Sequence, residues 1–329
     1  MSSLKYHSQK GEICFLGSIS NILQYYNVIL SESILLAESV GLDFRIKYDQ
    51  KSFLDSLWLE CVNFTGSDYA KINRLLSSRN YQLFSYAIKG EQQLYDFLFT
   101  NISNGIPIMV SLDLYNLTYH NLYKKIHFDH IVVIYGIEKQ ESEFKVHLSD
   151  CCPSIINSSY YEGYFTWRDF ILMLSGKESY QVWCIDKEIF NKSSDSISLV
   201  YPICEHTLSY SGVSAIHQLS KLYNKLSRQT RLTDEMKVQL RRHYCLFTGF
   251  GGPVVTRKLF YSYLLEKNYK ELAQECQKII KTWNLISKNL MKASVLDYIE
   301  YISVFSKNLE EIAECEDVFI HKLPIEQQL

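Results

Sequence analysis

The stretch of sequence that decides the fold is Gln9-Lys-Gly-Glu-Ile-Cys-Phe-Leu-Gly-Ser-Ile-Ser-Asn-Ile-Leu23. From Phe15 onward, large apolar residues recur at positions 15, 16, 19, 22, 23 and 26, which is the spacing of an amphipathic helix. Gly11 interrupts the chain before this pattern, so we expect Cys14 in or beside the first turn of the helix. At that end of a helix the dipole favours the thiolate, which is the nucleophilic form of cysteine. The alternative is a small buried apolar residue, a common role of free cysteine.

The composition is that of a globular protein with a substantial core. Of 329 residues, 47% are hydrophobic and 21% are charged, and the net charge of −2 gives no reason to expect nucleic acid or an anionic membrane as a partner. No apolar run approaches membrane-spanning length, and the N-terminus lacks the apolar core of a signal peptide. Nine cysteines, an odd number without the spacing of a disulfide framework, indicate reduced thiols. We therefore expect a cytoplasmic protein.

The periodicity of apolar residues changes along the chain and divides it into two parts. In the first part, helical stripes are interspersed with short apolar strands, such as Tyr81–Ile88 and His130–Gly136. After the polar stretch Asn191-Lys-Ser-Ser-Asp-Ser, helical spacing takes over, as in residues 213–226. The sequence thus predicts an α+β domain followed by a mostly helical one. The predicted bounds are 1–190 for the first domain, 191–206 for a linker and 207–329 for the helical domain.

Two strands near the middle of the chain could bring a histidine and an aspartate together. A hairpin that closes symmetrically about Gln140 would place His130 opposite Asp150, with Cβ atoms about 4.5–5.5 Å apart on one face. The carboxylate could then hold one imidazole nitrogen and leave the other for a thiol, whereas a slip of one residue would put the two on opposite faces. Taken singly, His130 could be a packed core histidine and Asp150 a turn residue. Together with Cys14 they predict a catalytic triad.

The order cysteine, histidine, aspartate along the chain is that of papain-like cysteine enzymes. Beyond this order, five short motifs resemble the N-terminal domain of the butirosin-biosynthesis acyltransferase family, or the helical domain that follows it there. The motifs are Gly11-Glu-Ile-Cys-Phe-Leu-Gly-Ser-Ile-Ser-Asn-Ile-Leu-Gln-Tyr-Tyr, Leu30-Ser-Glu-Ser with Gly41-Leu-Asp-Phe, His127-Phe-Asp-His-Ile-Val-Val-Ile-Tyr-Gly, Leu148-Ser-Asp and, for the helical domain, Thr248-Gly-Phe-Gly-Gly-Pro with Arg257, Tyr261 and Leu264. Similar domains occur in closthioamide-type assembly lines.

The resemblance implies a papain-like cysteine-protease fold for the N-terminal domain and acyl transfer as its reaction. Cys14 would take an acyl or peptidyl chain from the phosphopantetheine thioester of a carrier protein, and a small amine acceptor would then form the amide. His130 would act as the base and Asp150 would hold its tautomer. Gln9 is the candidate side-chain amide of the oxyanion hole, beside the Cys14 N–H. The resemblance implies no resident cofactor or metal.

Two other functions remain open from the sequence. A cysteine hydrolase or peptidase could use the same three residues, because the outcome depends on whether water or an amine reaches the thioester. A non-catalytic module that binds a carrier protein or a peptide could have kept the fold. Within the enzyme hypothesis, His127 would replace His130 as the base if the register of the hairpin differs. The oligomeric state is also open, a homo-oligomer included.

Three further groups have a second interpretation each. Cys151 and Cys152 with His147 could bind zinc, but adjacent cysteines lack the spacing that wraps one ion, and buried thiols are the better interpretation. The glycine run 249–252 lacks the Lys-Ser/Thr of a phosphate-binding loop and indicates a tight helix–helix connection. Three arginines could either meet the acidic helix of a carrier protein or lie on solvated helix faces. They are Arg241, Arg242 and Arg257.

Overall fold

The computed structural model describes residues 2–49, 60–61, 66–140, 143–153, 160–175, 179–187, 207–229, 231–249 and 251–323. The chain divides into two compact units, Met1–Leu35 with Gly66–Leu199 and Leu36–Thr65 with Val200–Leu329. The predicted α+β class is confirmed, with the larger sheet in the first unit and the longer helices in the second. The predicted linker 191–206 lies outside the described residues. Residues 36–65, which the prediction counted in the first domain, are grouped with the second unit.

Ten strands and ten α-helices are described. The strands are β1 (Ser2–Ser3), β2 (Arg45–Asp49), β3 (Glu60–Cys61), β4 (Tyr81–Ile88), β5 (Ile108–Asp113), β6 (Asp129–Gln140), β7 (Glu143–Asp150), β8 (Tyr161–Thr166), β9 (Tyr180–Lys187) and β10 (Thr207–Ser211). The helices are α1 (Cys14–Tyr25), α2 (Glu32–Leu35), α3 (Gly66–Ser77), α4 (Glu91–Ser103), α5 (Trp167–Met173), α6 (Gly212–Leu226), α7 (Asp234–Thr248), α8 (Pro253–Glu266), α9 (Lys270–Leu296) and α10 (Glu300–Lys322). None of these helices is long and apolar enough to cross a membrane.

The first unit is built on one antiparallel sheet with the strand order β4-β9-β5-β6-β7-β8, to which β1 adds on β6. Helix α1 packs against the central strand β6. The apolar stripe predicted for this helix is buried, with Leu16, Ile19, Ile22 and Leu23 fully withdrawn from water. Burying each such side chain stabilises a fold by about 1.5–3 kcal/mol, which explains why this stripe fixes the helix on the sheet.

The second unit combines a small antiparallel sheet, β10-β2-β3, with helices α6–α10. Strand β2 pairs with β10 along its whole length, and this pairing is the reason why its segment belongs to the second unit. The glycine run connects α7 to α8, as predicted. The Gly252 N–H donates to the Gly249 carbonyl at 2.7 Å, and a Cβ on Gly252 would lie only 1.8 Å from the carbonyl oxygen of Leu246. The approach of the two helix ends therefore requires glycine at this position.

Arg257 corrects one prediction, because it is neither on a solvated face nor available to a carrier protein. Its side chain is only 1% exposed and lies in the core of the second unit. Its guanidinium donates from Nε to Glu316 Oε1 at 2.9 Å and from Nη2 to the second carboxylate oxygen. Trp283 Nε1 donates to the same carboxylate at 2.6 Å. The arginine was misassigned because its charge alone suggested exposure, whereas a distant glutamate compensates for burial.

Candidate active site

Cys14 is the first residue of α1. Ile13 before it is extended, with φ −124° and ψ 118°, and provides no side-chain cap. Cys14 is half-buried, so part of the residue is in contact with solvent. The predicted location of the thiol at a helix start is confirmed, and the positive end of the helix dipole lies beside it.

His130 and Asp150 form a buried hydrogen-bonded pair. The distance from His130 Nε2 to Asp150 Oδ2 is 2.7 Å, and both side chains are almost completely withdrawn from solvent. The Cys14 side chain lies close enough to the same imidazole ring to raise the pKa of His130 further. Because Nε2 faces the aspartate, Nδ1 is the nitrogen left for the thiol. The structure therefore brings together all three residues that the sequence singled out.

The hairpin that carries the pair has a different register from the predicted one. Strands β6 and β7 pair Val133 with Ser149, so the next residue, Asp150, lies beside Val132 rather than beside His130. The predicted direct opposition is wrong. His130 lies two residues along from Val132, on the same face of β6, and is thus a diagonal neighbour of the aspartate. Diagonal neighbours are roughly 7–8 Å apart, which an imidazole and a carboxylate can span.

A β-bulge between Ile134 and Gly136 makes this arrangement possible. On the turn side of the bulge, Ile137 pairs with Val146. If that register continued without the bulge, Asp150 would lie beside Val133, whose side chain is on the opposite face from His130. One extra residue in β6 therefore returns the aspartate to the face of the histidine.

The His130 imidazole is cationic over the neutral range. Burial favours the uncharged ring, but the Asp150 carboxylate outweighs it through charge and hydrogen bonding, and the Cys14 sulfur adds to this effect, raising the pKa of His130 to about 10. A charged imidazole beside a thiol stabilises the thiolate. The site can therefore hold a thiolate–imidazolium pair, which is the reactive state of a cysteine nucleophile.

The Asp150 carboxylate is held by two further donors. The Tyr119 hydroxyl donates to Oδ2 at 3.1 Å, and the Cys152 N–H donates to Oδ1 at 2.8 Å. Burial, followed by the charge of Asp150, raises the pKa of Tyr119 well above its ordinary value, so its hydroxyl stays a donor. The Tyr119 ring stacks on Tyr161 at 3.9 Å between centroids. Sequence analysis missed Tyr119, because it lies in a polar loop without periodicity.

His120, the next residue of that loop, is a second group that the sequence did not indicate. Its Nδ1 accepts the Leu122 N–H at 3.1 Å, which leaves the proton of the neutral ring on Nε2. Burial, and then the charge of His130, lower the pKa of His120 to about 4. The two imidazole rings are 5.5 Å apart between centroids. His120 therefore provides an uncharged ring next to the cationic one.

His127, the alternative base, belongs to a different pair. Its ring is largely exposed, its Nδ1 is 2.7 Å from Asp113 Oδ2, and it stacks on Tyr115 at 4.2 Å between centroids. The geometry thus associates His130, and not His127, with the thiol and the buried aspartate.

The segment before Cys14 is fixed on one side by Asn21 of α1. The Asn21 amide donates to the Gln9 carbonyl at 2.9 Å and accepts the Gln9 N–H at 3.2 Å. These bonds hold the backbone of Gln9, whereas its side chain is exposed. The oxyanion role of Gln9 stays a prediction.

The same segment is fixed on another side by the chain that follows β7. The Gly11 N–H donates to the Cys151 carbonyl at 2.8 Å, and the Cys151 thiol lies over the Cys14 carbonyl at 3.6 Å. A Cβ on Gly17 would lie 2.8 Å from the Cys151 sulfur, so glycine makes room for this thiol. Cys152 in turn directs its thiol to the Glu12 carbonyl at 3.7 Å. Both thiols therefore act as packed groups that join β7 to the start of α1.

A third contact comes from Glu32, the first residue of α2. One carboxylate oxygen accepts the Glu12 N–H at 2.9 Å and the other accepts the Ile13 N–H at 2.5 Å. Burial raises the pKa of Glu32 to about 7, although the two N–H bonds oppose the shift.

Throughout the described part of the chain, no group of three or more histidine, cysteine, aspartate or glutamate side chains could hold a metal ion.

Comparison with known proteins gives one family match. Residues 13–151 match the family described as butirosin biosynthesis protein H, N-terminal. The matched segment contains Cys14, His130 and Asp150. No curated protein sequence matches this chain.

Proposed function

We propose that this protein is a cysteine acyltransferase of natural-product biosynthesis, because residues 13–151 match the butirosin biosynthesis protein H N-terminal family. It would move an acyl or peptidyl chain from the thioester of a carrier protein to an amine, forming an amide. The observation that carries the proposal is the buried Asp150–His130 hydrogen bond, with Cys14 near enough to the same imidazole to affect its pKa.

In the first half of the reaction, the Cys14 thiolate attacks the thioester carbonyl on the phosphopantetheine arm. A carbon–sulfur bond to Cys14 forms, the bond to the phosphopantetheine sulfur breaks, and the departing thiolate takes the proton of His130. The Cys14 N–H, at the start of α1, is suited to stabilise the oxyanion, with Gln9 as the predicted second donor. Losing one such donor typically lowers kcat by about 10²–10³-fold.

In the second half, an amine attacks the Cys14 thioester and the neutral His130 takes the proton that the amine loses. The carbon–nitrogen bond forms, Cys14 leaves as the thiolate, and the thiolate–imidazolium pair is restored. Asp150 keeps the ring oriented throughout, because its carboxylate accepts from Nε2 and leaves Nδ1 toward the sulfur. Every proton is accounted for by one histidine and the two substrates.

The test follows the acylation of Cys14 by intact-protein mass spectrometry. The protein is incubated with an acyl carrier protein thioester, first alone and then with a small amine. We expect a mass increase equal to the acyl group without amine, and its replacement by an amide product when the amine is added. Cys14→Ala should give neither. Cys315→Ala, which removes an exposed thiol of the second unit, is the matched control and should behave as the unaltered protein.

Two results would contradict the proposal in different ways. If the acyl group leaves as free acid at the same rate with and without amine, the protein is a hydrolase that uses the same residues. If the Cys14→Ala variant turns over at the normal rate, the nucleophile is elsewhere. A protein that forms no acyl-enzyme, and whose Cys14 resists a mild alkylating agent, would be a binding module.

A further inference from the structure

The backbone directly before Cys14 is hydrogen-bonded to an ionisable side chain, the carboxylate of Glu32. The chain runs from residue 9 to residue 13 without regular structure before α1 begins. Its last two N–H groups, those of Glu12 and Ile13, both point at the Glu32 carboxylate. A bidentate arrangement of this kind fixes direction as well as distance, and hydrogen bonds to an ionised acceptor are roughly twice as strong as neutral ones.

The position of these bonds matters because Ile13 is the residue directly before the nucleophile. A displacement of the Ile13 backbone would be transmitted to Cys14 through one peptide bond. Further from Cys14, Asn21 holds Gln9 and the Cys151 carbonyl holds Gly11 through neutral contacts, and a second carboxylate, Glu162, accepts the Ser8 N–H at 3.0 Å. Among the described contacts, that of Glu32 is the charge-dependent one directly before the nucleophile.

Glu32 forms no ion pair with a described residue, but two charged side chains lie near it. Lys10 and Glu12 pair with each other at 3.0 Å, and their charges act on the pKa of Glu32 in opposite directions, Lys10 lowering it and Glu12 raising it. The other titratable groups near the carboxylate are the thiols of Cys151 and Cys152, which follow β7. Burial raises the pKa of both thiols, so they remain uncharged over the neutral range.

We propose that Glu32 is a positioning residue for the Cys14 nucleophile: its ionised carboxylate holds the Glu12–Ile13 backbone so that the sulfur meets His130, and protonation releases this hold. The inference rests on the proposed function, since it assigns Cys14 as the reacting group. A protonated acid can no longer accept both bonds with full strength, because one oxygen carries the hydrogen.

The pH dependence follows from the direction of the shift. Burial raises the pKa of Glu32 to about 7, so the carboxylate is ionised above that value and protonated below it. The reactivity of Cys14 should therefore fall as the pH drops through about 7. The imidazole is not the cause of such a step, because the pKa of His130 is raised to about 10 by Asp150.

The experiment measures the rate of Cys14 alkylation by iodoacetamide between about pH 5.5 and 8.5, by mass spectrometry of the intact full-length protein. We expect the unaltered protein to show a step near pH 7. In Glu32→Gln the step near pH 7 should disappear, and Cys14 should react about 10- to 100-fold more slowly at about pH 8. Displacing a reacting group by about 1 Å lowers rates in active sites by a comparable factor. Glu32→Asp, which keeps the charge on a shorter side chain, should keep a step.

The matched control is Glu91→Gln, which makes the same substitution at an exposed acid in the first turn of α4. The rate of Cys14 alkylation in this variant, and its change near pH 7, should equal those of the unaltered protein. A Glu32→Gln variant with an unchanged rate or an unchanged step would overturn the proposal. If that variant does not fold, the unaltered protein still decides, because a flat profile across pH 7 contradicts it. Acyl transfer is measured in parallel, because alkylation needs no acyl substrate. A pH step in alkylation without any acyl transfer would contradict the proposed function but not the role of Glu32.

Discussion

Glu32 in the first unit is a half-buried carboxylate and Glu316 in the second a fully buried one, and their partners differ. Glu316 receives a bidentate guanidinium from Arg257 and the indole N–H of Trp283. Glu32 receives two backbone N–H groups and forms no ion pair with a described residue. The first arrangement neutralises charge with charge, whereas the second only supplies dipoles.

The difference separates a structural acid from one that can respond to pH. An arginine stays protonated at every physiological pH, so the Glu316 network is permanent once folded. Backbone dipoles offset the burial of Glu32 only in part, and its pKa is therefore raised to about 7. Groups with such pKa shifts concentrate at functional sites. Glu32 fits this pattern, because it accepts the N–H of Ile13, the residue directly before Cys14. Four substitutions can break or sharpen this comparison.

The largest effect is expected at Asp150, a fully buried carboxylate whose partner is an imidazole. Asp150→Asn keeps the shape but removes the charge that holds His130 in its cationic, oriented state. Because the wrong tautomer is then favoured, acyl transfer should fall by about 10⁴-fold. Steady-state kcat/KM measures the loss, and circular dichroism checks that the variant is folded. A folded variant that keeps most of its activity would show that the buried acids of the first unit do not serve the chemistry.

The next largest effect is expected at Arg257, and it concerns stability. Arg257→Met removes the cation and leaves Glu316 buried without compensation, which should cost about 3–5 kcal/mol. Urea unfolding followed by intrinsic tryptophan fluorescence measures the change. The control is Arg241→Met on the exposed face of α7, for which the change should stay within about 0.5 kcal/mol. Equal stabilities of the two variants would mean that the Glu316 network is not structural.

The sequence predicted the elements whose signal is local. The apolar spacing after Cys14 and the break at Gly11 were sufficient to place the start of α1 at the cysteine. The strand that carries His130 was equally clear, since its apolar run is continuous. These patterns arise because each element must bury one face, and this requirement determines the spacing of apolar residues within the element itself.

The parts that depend on distant pairing could not be predicted in this way. The bulge near Gly136 sets the register of the triad, yet nothing in the β6 sequence alone announces it. Strand β10 was not predicted, because its partner β2 is about 160 residues away in the sequence. Tyr119 and Glu32 were missed because their roles come from hydrogen bonds across the fold, which leave no periodic trace.

A third prediction concerns the stability of Glu32→Gln. The folded-state pKa of Glu32 is raised above 4.5, so ionising this acid costs folding free energy as the pH rises from about 4.5 to 7. Glutamine carries no such cost. The free energy of unfolding of the variant, relative to the unaltered protein, should therefore increase by about 2–3 kcal/mol between about pH 5 and pH 8. Urea unfolding at both pH values measures this, and a pH-independent difference would contradict the comparison.

The smallest effect is expected at Tyr119, which donates to the same Asp150 oxygen as His130. Tyr119→Phe keeps the stacking on Tyr161 but removes one hydrogen bond to a charged acceptor, an interaction of about 1.5–3 kcal/mol. Because the Cys152 N–H and His130 still hold the carboxylate, only part of that energy should appear in the rate, as a loss of about 10-fold in kcat. Tyr164→Phe, on the exposed side of β8, is the control and should leave kcat unchanged. If Tyr119→Phe also leaves it unchanged, the hydroxyl contributes to folding alone, and Asp150 needs no more than one donor besides the imidazole.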